Sequence, residues 1–344
     1  MTSRHRSRRS SHYDRVRRSH RGIVVIVVGV ALLLATTASA LVGGHRGAPA
    51  PTPPGALVTL TEPAAGYGFL VAQLGSAHYG VDVEMYELDD PAVIAALIAD
   101  HRRGVTVKVL LDKAYDGGDV NAPTYRTLST AGVTVRWSDL AVITHEKMVC
   151  VDLACDVMTG NLTPAYYTTS RDFVVVDRQP GDVEAIEAVF SADWGGAPPS
   201  PAAPGTDLVW SPGSATALID LIGGAQHSIL LESEEMSDAT VTAALVAAAH
   251  RGVEVSVAMT ANPTYDTAFD ELRAAGVKVK LYTPTASLYI HAKAIVVDGE
   301  RAFVGSENLS PTSLDDNREL GLITTSRAVV NPVAAALRAD VGNT

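Results

Sequence analysis

Two short segments of the sequence carry a histidine, a lysine and an aspartate at the same spacing. They cover residues 145–152 and 291–298, and in each the lysine follows the histidine by two positions. Side chains alternate along a strand, so such a histidine and lysine face the same side. Two copies supply two imidazoles and two ammonium groups. That set suits displacement at a phosphate diester, where one imidazole attacks, the other protonates the leaving oxygen and the cations hold the phosphoryl oxygens.

The two segments belong to a longer internal repeat, which argues against a chance match. Arg103-Gly-Val recurs 148 residues later as Arg251-Gly-Val, and Ala131-Gly-Val recurs 144 residues later as Ala275-Gly-Val. An asparagine follows each segment, and an acid lies eleven residues beyond each asparagine. These matched pairs are Asn161 and Asn308, then Asp172 and Glu319.

With these features the chain resembles the phospholipase D superfamily, whose signature is two His-x-Lys-x4-Asp motifs, each followed by Gly-Ser-x-Asn. Residues 305–308 match that stretch as Gly-Ser-Glu-Asn, whereas residues 158–161 are Met-Thr-Gly-Asn and keep a hydroxyl at Thr159. The resemblance extends from Val58 to the C terminus. It implies an α/β fold of two tandem repeats, each a β-sheet flanked by helices, packed about a pseudo-twofold axis with the active site at the seam.

The resemblance implies that the motif residues form the catalytic set, which is His145, Lys147, Asp152, His291, Lys293 and Asp298. The family uses the histidine of the first motif as nucleophile, so we expect His145 to form a phosphohistidine and His291 to be the general acid. Two satisfied structural histidines are the alternative, which the shared spacing argues against. No metal and no other cofactor is expected.

Supporting roles are predicted for six further residues. The hydrogen-bond donors to the phosphate are Thr159, Asn161, Ser306 and Asn308. A capping or turn role is the alternative for each of these four. Asp172 and Glu319 each follow an arginine and are expected to accept an imidazole N–H and fix its tautomer. The resemblance supports that assignment.

Strand alternation gives the two motif aspartates a different place from the histidines. Asp152 and Asp298 come five residues after the lysine, so they turn away from the histidine face and are expected to shape a hairpin turn. In the first repeat the turn falls at Asp152-Leu153 and places Cys150 opposite Cys155. A cross-strand disulfide and a pair of free buried thiols are both open.

The N-terminal segment differs in composition from the rest of the chain. Residues 1–22 hold eight arginines and one acid and are expected to form a basic cytoplasmic tail. Residues 23–42 carry no charge, and a membrane anchor and a cleaved signal peptide are both open. Either one places the remainder outside the cytoplasm, anchored or secreted. The predicted organisation downstream is a Pro/Ala/Gly linker at 43–57, a first repeat at 58–195, a connector at 196–206 and a second repeat at 207–344.

The charge of the exported part bears on its substrate. Without residues 1–22 the chain holds 19 basic and 37 acidic residues, a net charge of about −18. Such a surface repels polyphosphate at long range, so nucleic acid is disfavoured as a partner. Since one chain contains both motifs, a monomer is expected.

The favoured function is a phospholipase D-like phosphodiesterase at a membrane surface. It would hydrolyse a glycerophospholipid to phosphatidate and the head-group alcohol, with transphosphatidylation when another alcohol intercepts the phosphohistidine. A related exported nuclease acting on DNA or RNA is the second hypothesis. A cardiolipin synthase-like phosphatidyltransferase is the third, because it would fit a more hydrophobic protein better. A catalytically inactive head-group binder is disfavoured by two intact motifs.

Overall fold

The described part of the chain comprises residues 56–114, 117–139, 141–198, 205 and 207–342 of the computed structural model. The predicted tail, the predicted anchor or signal segment and most of the predicted linker lie outside the described residues. Several residues of the predicted connector do so as well. Within the described residues, no helix combines the length and apolarity needed to cross a bilayer.

The first half of the chain builds one mixed sheet and four helices. The strands are β1 (Leu57–Glu62), β2 (Gly80–Met85), β3 (Thr106–Leu111), β4 (Thr134–Trp137), β5 (Lys147–Val151), β6 (Ala154–Met158) and β7 (Ser170–Asp177). The helices are α1 (Gly68–Gly75), α2 (Pro91–Arg102), α3 (Gly117–Thr130) and α4 (Pro180–Trp194). The sheet order is β1-β7-β6-β5-β2-β3-β4. Strands β2, β3 and β4 run parallel, and the other neighbours in this order are antiparallel.

The second half repeats the seven-strand order of the first half and contains one further short strand. The strands are β8 (Leu208–Ser211), β9 (Ser228–Glu232), β10 (Glu254–Thr260), β11 (Lys278–Tyr282), β12 (Tyr289–Ile290), β13 (Ala294–Val297), β14 (Arg301–Gly305) and β15 (Glu319–Thr324). The helices are α5 (Ala215–Gly223), α6 (Ala239–His250), α7 (Asp266–Ala274), α8 (Pro311–Asp315) and α9 (Arg327–Val341). The order β8-β15-β14-β13-β9-β10-β11 matches the first sheet at every position. The predicted α/β fold of two tandem repeats is confirmed.

Matching sequence signals start and end the equivalent helices α2 and α6. The Asp90 carboxylate accepts hydrogen bonds from the first-turn amides of α2, and Pro91 takes the first helical position, where its missing N–H costs nothing. Asp238 caps α6 in the same way. Each helix is followed by a glycine with positive φ, Gly104 at 91° and Gly252 at 89°. The same two signals, an aspartate cap and a terminal glycine, therefore bound both helices.

The two repeats share one of the three hydrophobic clusters of the described residues. One cluster lies between the first sheet and α1–α3, and a second lies between the second sheet and α5–α7. The third combines Ile186 and Phe190 of α4 with Val333 and Leu337 of α9 and with strand residues of both sheets. Close packing of this shared core fixes the two sheets against each other, and with them the two motifs.

Reciprocal polar contacts also join the repeats. The short strand β12 of the second repeat pairs in parallel with β7 of the first, and Thr144 of the first repeat bridges to Arg318 of the second. Arg171 binds Asp340 with an Nε–Oδ2 distance of 2.6 Å, and the equivalent Arg318 binds Asp193 at 2.7 Å. Each arginine thus contacts the last helix of the other repeat.

The hairpin of the first motif contains a disulfide. Cys150 of β5 lies directly opposite Cys155 of β6, and a bond joins them at a Cα–Cα distance of 4.0 Å. The predicted two-residue turn leaves Val151 paired with Ala154. The disulfide is therefore the alternative that the structure supports. It links β5, which begins with the motif lysine Lys147, to β6.

Candidate active site

Both motifs lie on central strands of their sheets. Lys147 is the first residue of β5, which lies between β6 and β2, and Lys293 immediately precedes β13, which lies between β14 and β9. Both lysines are only 1% exposed. The backbone N–H of His145 donates to the carbonyl of Arg318 in the other repeat at 2.9 Å. The motifs therefore meet where the two repeats contact each other.

Each histidine is oriented by an acid of the other repeat. The Nδ1 of His145 lies 2.8 Å from Oε2 of Glu319, and the Nδ1 of His291 lies 2.8 Å from Oδ1 of Asp172. A carboxylate at Nδ1 accepts its N–H and leaves Nε2 as the reactive nitrogen. The two acids have the orienting contact expected from sequence, but the crossed pairing was not foreseen. Neither imidazole is correctly held within one repeat alone.

Hydroxyl groups hold these two acids in place. Thr159 donates from Oγ1 to Oδ1 of Asp172 at 2.6 Å and accepts from the backbone N–H of Phe173 at 2.9 Å. Ser313 donates to Oε1 of Glu319 at 2.6 Å, and Asn317 donates to the same oxygen at 3.1 Å. Thr159 shares Oδ1 of Asp172 with His291, whereas Ser313 and Asn317 bind the Glu319 oxygen that does not contact His145. In both repeats these partners fix the carboxylate that contacts the histidine.

The lysines lie beside the histidines of their own motifs. Lys147 donates from Nζ to the backbone carbonyl of His145 at 2.6 Å, and Lys293 does the same to His291. The Nζ of Lys293 is also 3.3 Å from Nε2 of His291. This places an ammonium next to the reactive nitrogen, where an anionic oxygen bound to phosphorus can reach both.

The surroundings of the histidines differ between the repeats. The Tyr86 ring packs edge-on against His145 with centroids 4.7 Å apart, and Lys147 lies over that ring at 5.0 Å. In the second repeat, Oε2 of Glu234 lies 3.3 Å from Nε2 of His291 and 3.2 Å from Nζ of Lys293. Its Oε1 accepts from the Tyr289 hydroxyl at 2.9 Å.

The electrostatics show that the two motifs act on each other. Burial, with smaller contributions from Lys147 and Lys293 and against the opposing effect of Glu319, lowers the pKa of His145 to about 4. Burial likewise lowers the pKa of Lys147 to about 7, with Lys293 of the second repeat acting in the same direction and Glu319 opposing. His145 is therefore neutral near pH 7, as a nucleophile must be.

Comparison with known proteins identifies the family of the chain. A family model described as "Cardiolipin synthase, PLD-like domain" matches the chain twice, at residues 70–194 and 218–341. The chain belongs to this phospholipase D-like family. The resemblance inferred from the two motifs is thereby confirmed.

Curated relatives of this family are cardiolipin synthases. The chain is 29% identical over 228 residues to cardiolipin synthase A of Pseudomonas aeruginosa. The aligned region covers 57% of this chain and 46% of the relative. It is 26% identical over 313 residues to cardiolipin synthase A of Erwinia tasmaniensis, covering 74% of this chain and 62% of the relative. The chain thus spans about half to three-fifths of the length of these relatives.

Solved structures share the fold at low sequence identity. The phosphatidylserine synthase of Haemophilus influenzae superposes with a TM-score of 0.64 and 12% identity, covering 83% of this chain and 86% of that one. The polyphosphate kinase of Porphyromonas gingivalis also gives a TM-score of 0.64, at 16% identity, covering 83% of this chain and 50% of that one. Identities this low establish the two-repeat architecture alone.

The predicted phosphate donors have structural partners in the described site. Asn161 donates from Nδ2 to Oε2 of Glu87 at 3.1 Å, and Ser306 accepts from the backbone N–H of Leu320 at 3.1 Å. The backbone N–H of Asn308 donates to Ser313 at 2.7 Å. Thr159 supports Asp172, as described above. A phosphate contact for these four residues stays a prediction, and so does the alternative of a capping or turn role.

The motif aspartates lie away from the reacting groups, so their inclusion in the catalytic set is corrected. Asp152 accepts hydrogen bonds from the backbone amides of residues 78–80, just before and at the start of β2. Asp298 accepts from those of residues 226–228 in the same manner. Both have positive φ, 54° and 56°. As strand alternation predicted, they shape the turn at the end of the motif strand opposite to the histidine.

A second group of acids lies behind the motif. Among the described residues, Glu84, Glu146 and Asp193 form the one set of carboxylates close enough to hold a metal, with oxygens within 4.8 Å of one another. Arg318 already binds Asp193, and burial raises the pKa of Glu146. Burial raises the pKa of Glu84 as well, so one cation and two retained protons neutralise the three carboxyl groups. Its side chains point to the strand face opposite Lys147.

Sequence reasoning missed the residues that distinguish the two histidines. Glu234 and Tyr86 follow strands β9 and β2, and neither belongs to the motifs recognised in the sequence. The one available signal was their equivalence under the 148-residue shift that relates Arg103 to Arg251. Ser313 and Asn317 were missed as well, because they act through Glu319.

Proposed function

We propose that the chain is a phosphatidyltransferase of the cardiolipin synthase type. It would move a phosphatidyl group from one phospholipid to an alcohol of another through a phosphohistidine. The family match and the curated relatives support this function over the hydrolase that the sequence favoured. The observation that carries the chemistry is the crossed pairing of each motif histidine with an acid of the other repeat.

In the first step, Nε2 of His145 attacks phosphorus and the bond to the leaving alcohol breaks. His145 suits this role because Glu319 accepts its Nδ1–H and leaves the Nε2 lone pair free. His291 donates the proton that the departing alkoxide requires. The products are a phosphatidyl-histidine at His145 and the free head-group alcohol.

In the second step, an acceptor alcohol attacks the same phosphorus and the phosphorus–nitrogen bond breaks. His291, now neutral, takes the proton of that alcohol, so both histidines return to their starting state. Lys147 and Lys293 stabilise the extra negative charge on the phosphoryl oxygens in both steps. The buried lysines need no metal ion to supply this charge.

The same intermediate explains why hydrolysis remains a second candidate. Water in place of the alcohol would release phosphatidate, which is the activity first expected from sequence. Transfer needs a site that admits a lipid alcohol and excludes water. The acidic chain, with a net charge of about −18 outside residues 1–22, supports a lipid rather than a nucleic acid as substrate. We further propose that the domain acts at the outer side of a membrane, as residues 1–42 imply.

The test is incubation of the full chain with phosphatidylglycerol vesicles, phosphatidylcholine vesicles and a supercoiled plasmid, each with and without EDTA. The expected result is release of glycerol with formation of diphosphatidylglycerol, unchanged by EDTA. Phosphatidate as the sole lipid product would establish the hydrolase instead. Plasmid nicking with intact lipid would establish the nuclease. The His145→Ala variant serves as the inactive control.

A further inference from the structure

The two repeats present matching catalytic groups and differ at one position that touches a histidine. Each histidine has a lysine two residues later and a carboxylate of the other repeat at Nδ1. The position that follows β2 by one residue is Tyr86, and its equivalent 148 residues later is Glu234. Both flank the histidine of their own repeat.

Tyr86 presents an aromatic ring to His145. The rings meet edge to face at 4.7 Å, and the tyrosine is only 8% exposed, so a buried ring covers this side of His145. The charged groups that act on His145 are Glu319, Lys147 and Lys293. Of these, Glu319 holds Nδ1, and the Tyr86 ring stands beside His145 where the carboxylate of Glu234 stands beside His291.

Glu234 presents a carboxylate to His291. Its Oε2 lies 3.3 Å from Nε2, while Asp172 holds Nδ1 at 2.8 Å. Only the imidazolium has an N–H to donate at both nitrogens. Glu234 is itself held in the ionised form, because His291, Lys293 and the Tyr289 hydroxyl lower its pKa against the effect of burial.

We infer that the pair Tyr86 and Glu234 decides which of the two histidines becomes the phosphorylated one. The inference rests on the proposed phosphohistidine mechanism and goes beyond it by naming the residues that break the symmetry. A proton on Nε2 of His291 faces the Glu234 carboxylate 3.3 Å away, and a protonated Nε2 has no lone pair for phosphorus, so His291 gives its proton to the leaving oxygen. His145 has the Tyr86 ring in place of that carboxylate, and its Nε2 attacks.

The proton balance closes with Glu234 unchanged. When the leaving oxygen takes the Nε2 proton, the contact between Glu234 and His291 loses its hydrogen. When the acceptor alcohol attacks, its proton returns to Nε2 and restores that contact. Glu234 touches neither phosphorus nor the transferred group, and it is therefore a positioning residue for His291.

The experiment exploits the fact that trypsin places the two histidines in different peptides. His145 falls in residues 137–147 and His291 in residues 281–293. The full chain is mixed with short-chain phosphatidylglycerol, quenched in alkaline denaturant during turnover, and mapped by mass spectrometry. The wild type is expected to carry the phosphatidyl group on peptide 137–147. The double variant Tyr86→Glu/Glu234→Tyr is expected to carry it on peptide 281–293.

A single variant covers the case in which the exchange does not fold. Glu234→Gln keeps the shape of the side chain and removes its charge, and at least a tenth of the label is expected to move to peptide 281–293. Glu254→Gln, at an exposed pair with Lys278, is the control and keeps the wild-type pattern. Label confined to peptide 137–147 in both test variants would overturn the inference. Turnover of the wild type without label on either peptide would instead contradict the proposed covalent mechanism.

Discussion

His145 of the first repeat donates its Nδ1 hydrogen to Glu319 of the second, across 2.8 Å. The reciprocal contact joins His291 to Asp172 at the same distance. The catalytic machinery is thus interleaved, and each repeat completes the site of its partner. The shared hydrophobic core holds the two repeats in the arrangement that these contacts require.

Neutralising either orienting acid is expected to reduce kcat without unfolding the protein. In Glu319→Gln the side-chain amide can donate to Nδ1, which favours the His145 tautomer that carries its hydrogen on Nε2. That tautomer has no Nε2 lone pair with which to attack phosphorus. The expected loss is roughly 10²–10⁴-fold in kcat with little change in KM. Steady-state kinetics and a thermal melt measure both quantities.

Asp172→Asn provides the matched variant in the other repeat. A wild-type kcat in either folded variant would show that the crossed contact does not matter for turnover. Glu254→Gln serves again as the surface control, since its carboxylate pairs only with the exposed Lys278.

The pH dependence of transfer is expected to have two limbs. His145 must be neutral to attack, so kcat rises as pH increases through about 4, where its pKa lies. Lys147 must be charged to hold the phosphoryl oxygens, so kcat falls as pH increases through about 7. Lys147→Arg retains the charge at all these pH values. The descending limb should then shift to higher pH, and an unchanged limb would contradict the role given to Lys147.

The buried charge of Lys147 is expected to cost stability. Its pKa in the folded protein is about 7, below the ordinary lysine value, so the folded state disfavours the ammonium. Lys147→Met should therefore abolish transfer and raise the melting temperature. The gain is largest below pH 7, where the lysine is charged in both states, and shrinks as pH rises toward the unfolded value of about 10.4. Thermal melts of Lys147→Met and of the wild type at pH 6 and at about pH 9 measure the gain. A melting temperature of the variant below that of the wild type at pH 6 would refute the argument.

The motif aspartates are expected to matter for folding more than for chemistry. Asp152→Ala removes a carboxylate that accepts three backbone hydrogen bonds and places alanine at a φ of 54°. The expected loss is about 2–4 kcal/mol of unfolding free energy, with kcat within about threefold of the wild type. Asp152→Asn tolerates that φ better and should lose less. A large fall in kcat at unchanged stability would restore Asp152 to the catalytic set.

The disulfide is expected to add modest stability and no activity. It closes a loop of few residues, since Cys150 and Cys155 are five positions apart. Such a loop contributes about 2 kcal/mol through the entropy of the unfolded chain. Urea unfolding of Cys150→Ala/Cys155→Ala, compared with the wild type before and after reduction, measures it. A loss of transfer in the folded double variant would indicate that the bond also positions the first motif.

Local features of this fold were predictable from sequence, and contacts between distant residues were not. The caps at Asp90 and Asp238 and the hairpin pairing of Cys150 with Cys155 depend on neighbours in the chain, so spacing and turn chemistry determine them. The histidines and lysines were found because the motif occurs twice. Their convergence followed only from the resemblance to a family.

The crossed contacts could not be derived, because no sequence spacing records them. Glu319 meets a histidine 174 residues away, and Arg318 meets an aspartate 125 residues away. Glu234 was hidden for another reason: its equivalent is Tyr86, so the repeat gave no matched pair to notice. Functional residues that differ between equivalent positions of two repeats can be recognised only when the three-dimensional structure shows what each of them contacts.

The most direct test of the central claim is the stereochemistry of transfer at phosphorus. A phosphatidylglycerol analogue with one sulfur on phosphorus, of known configuration, is incubated with the full chain, and the product configuration is assigned by phosphorus NMR. Two in-line displacements, first by His145 and then by the acceptor alcohol, predict net retention. Net inversion would mean that the acceptor displaces the leaving group in a single step, and the covalent phosphohistidine at His145 would be wrong.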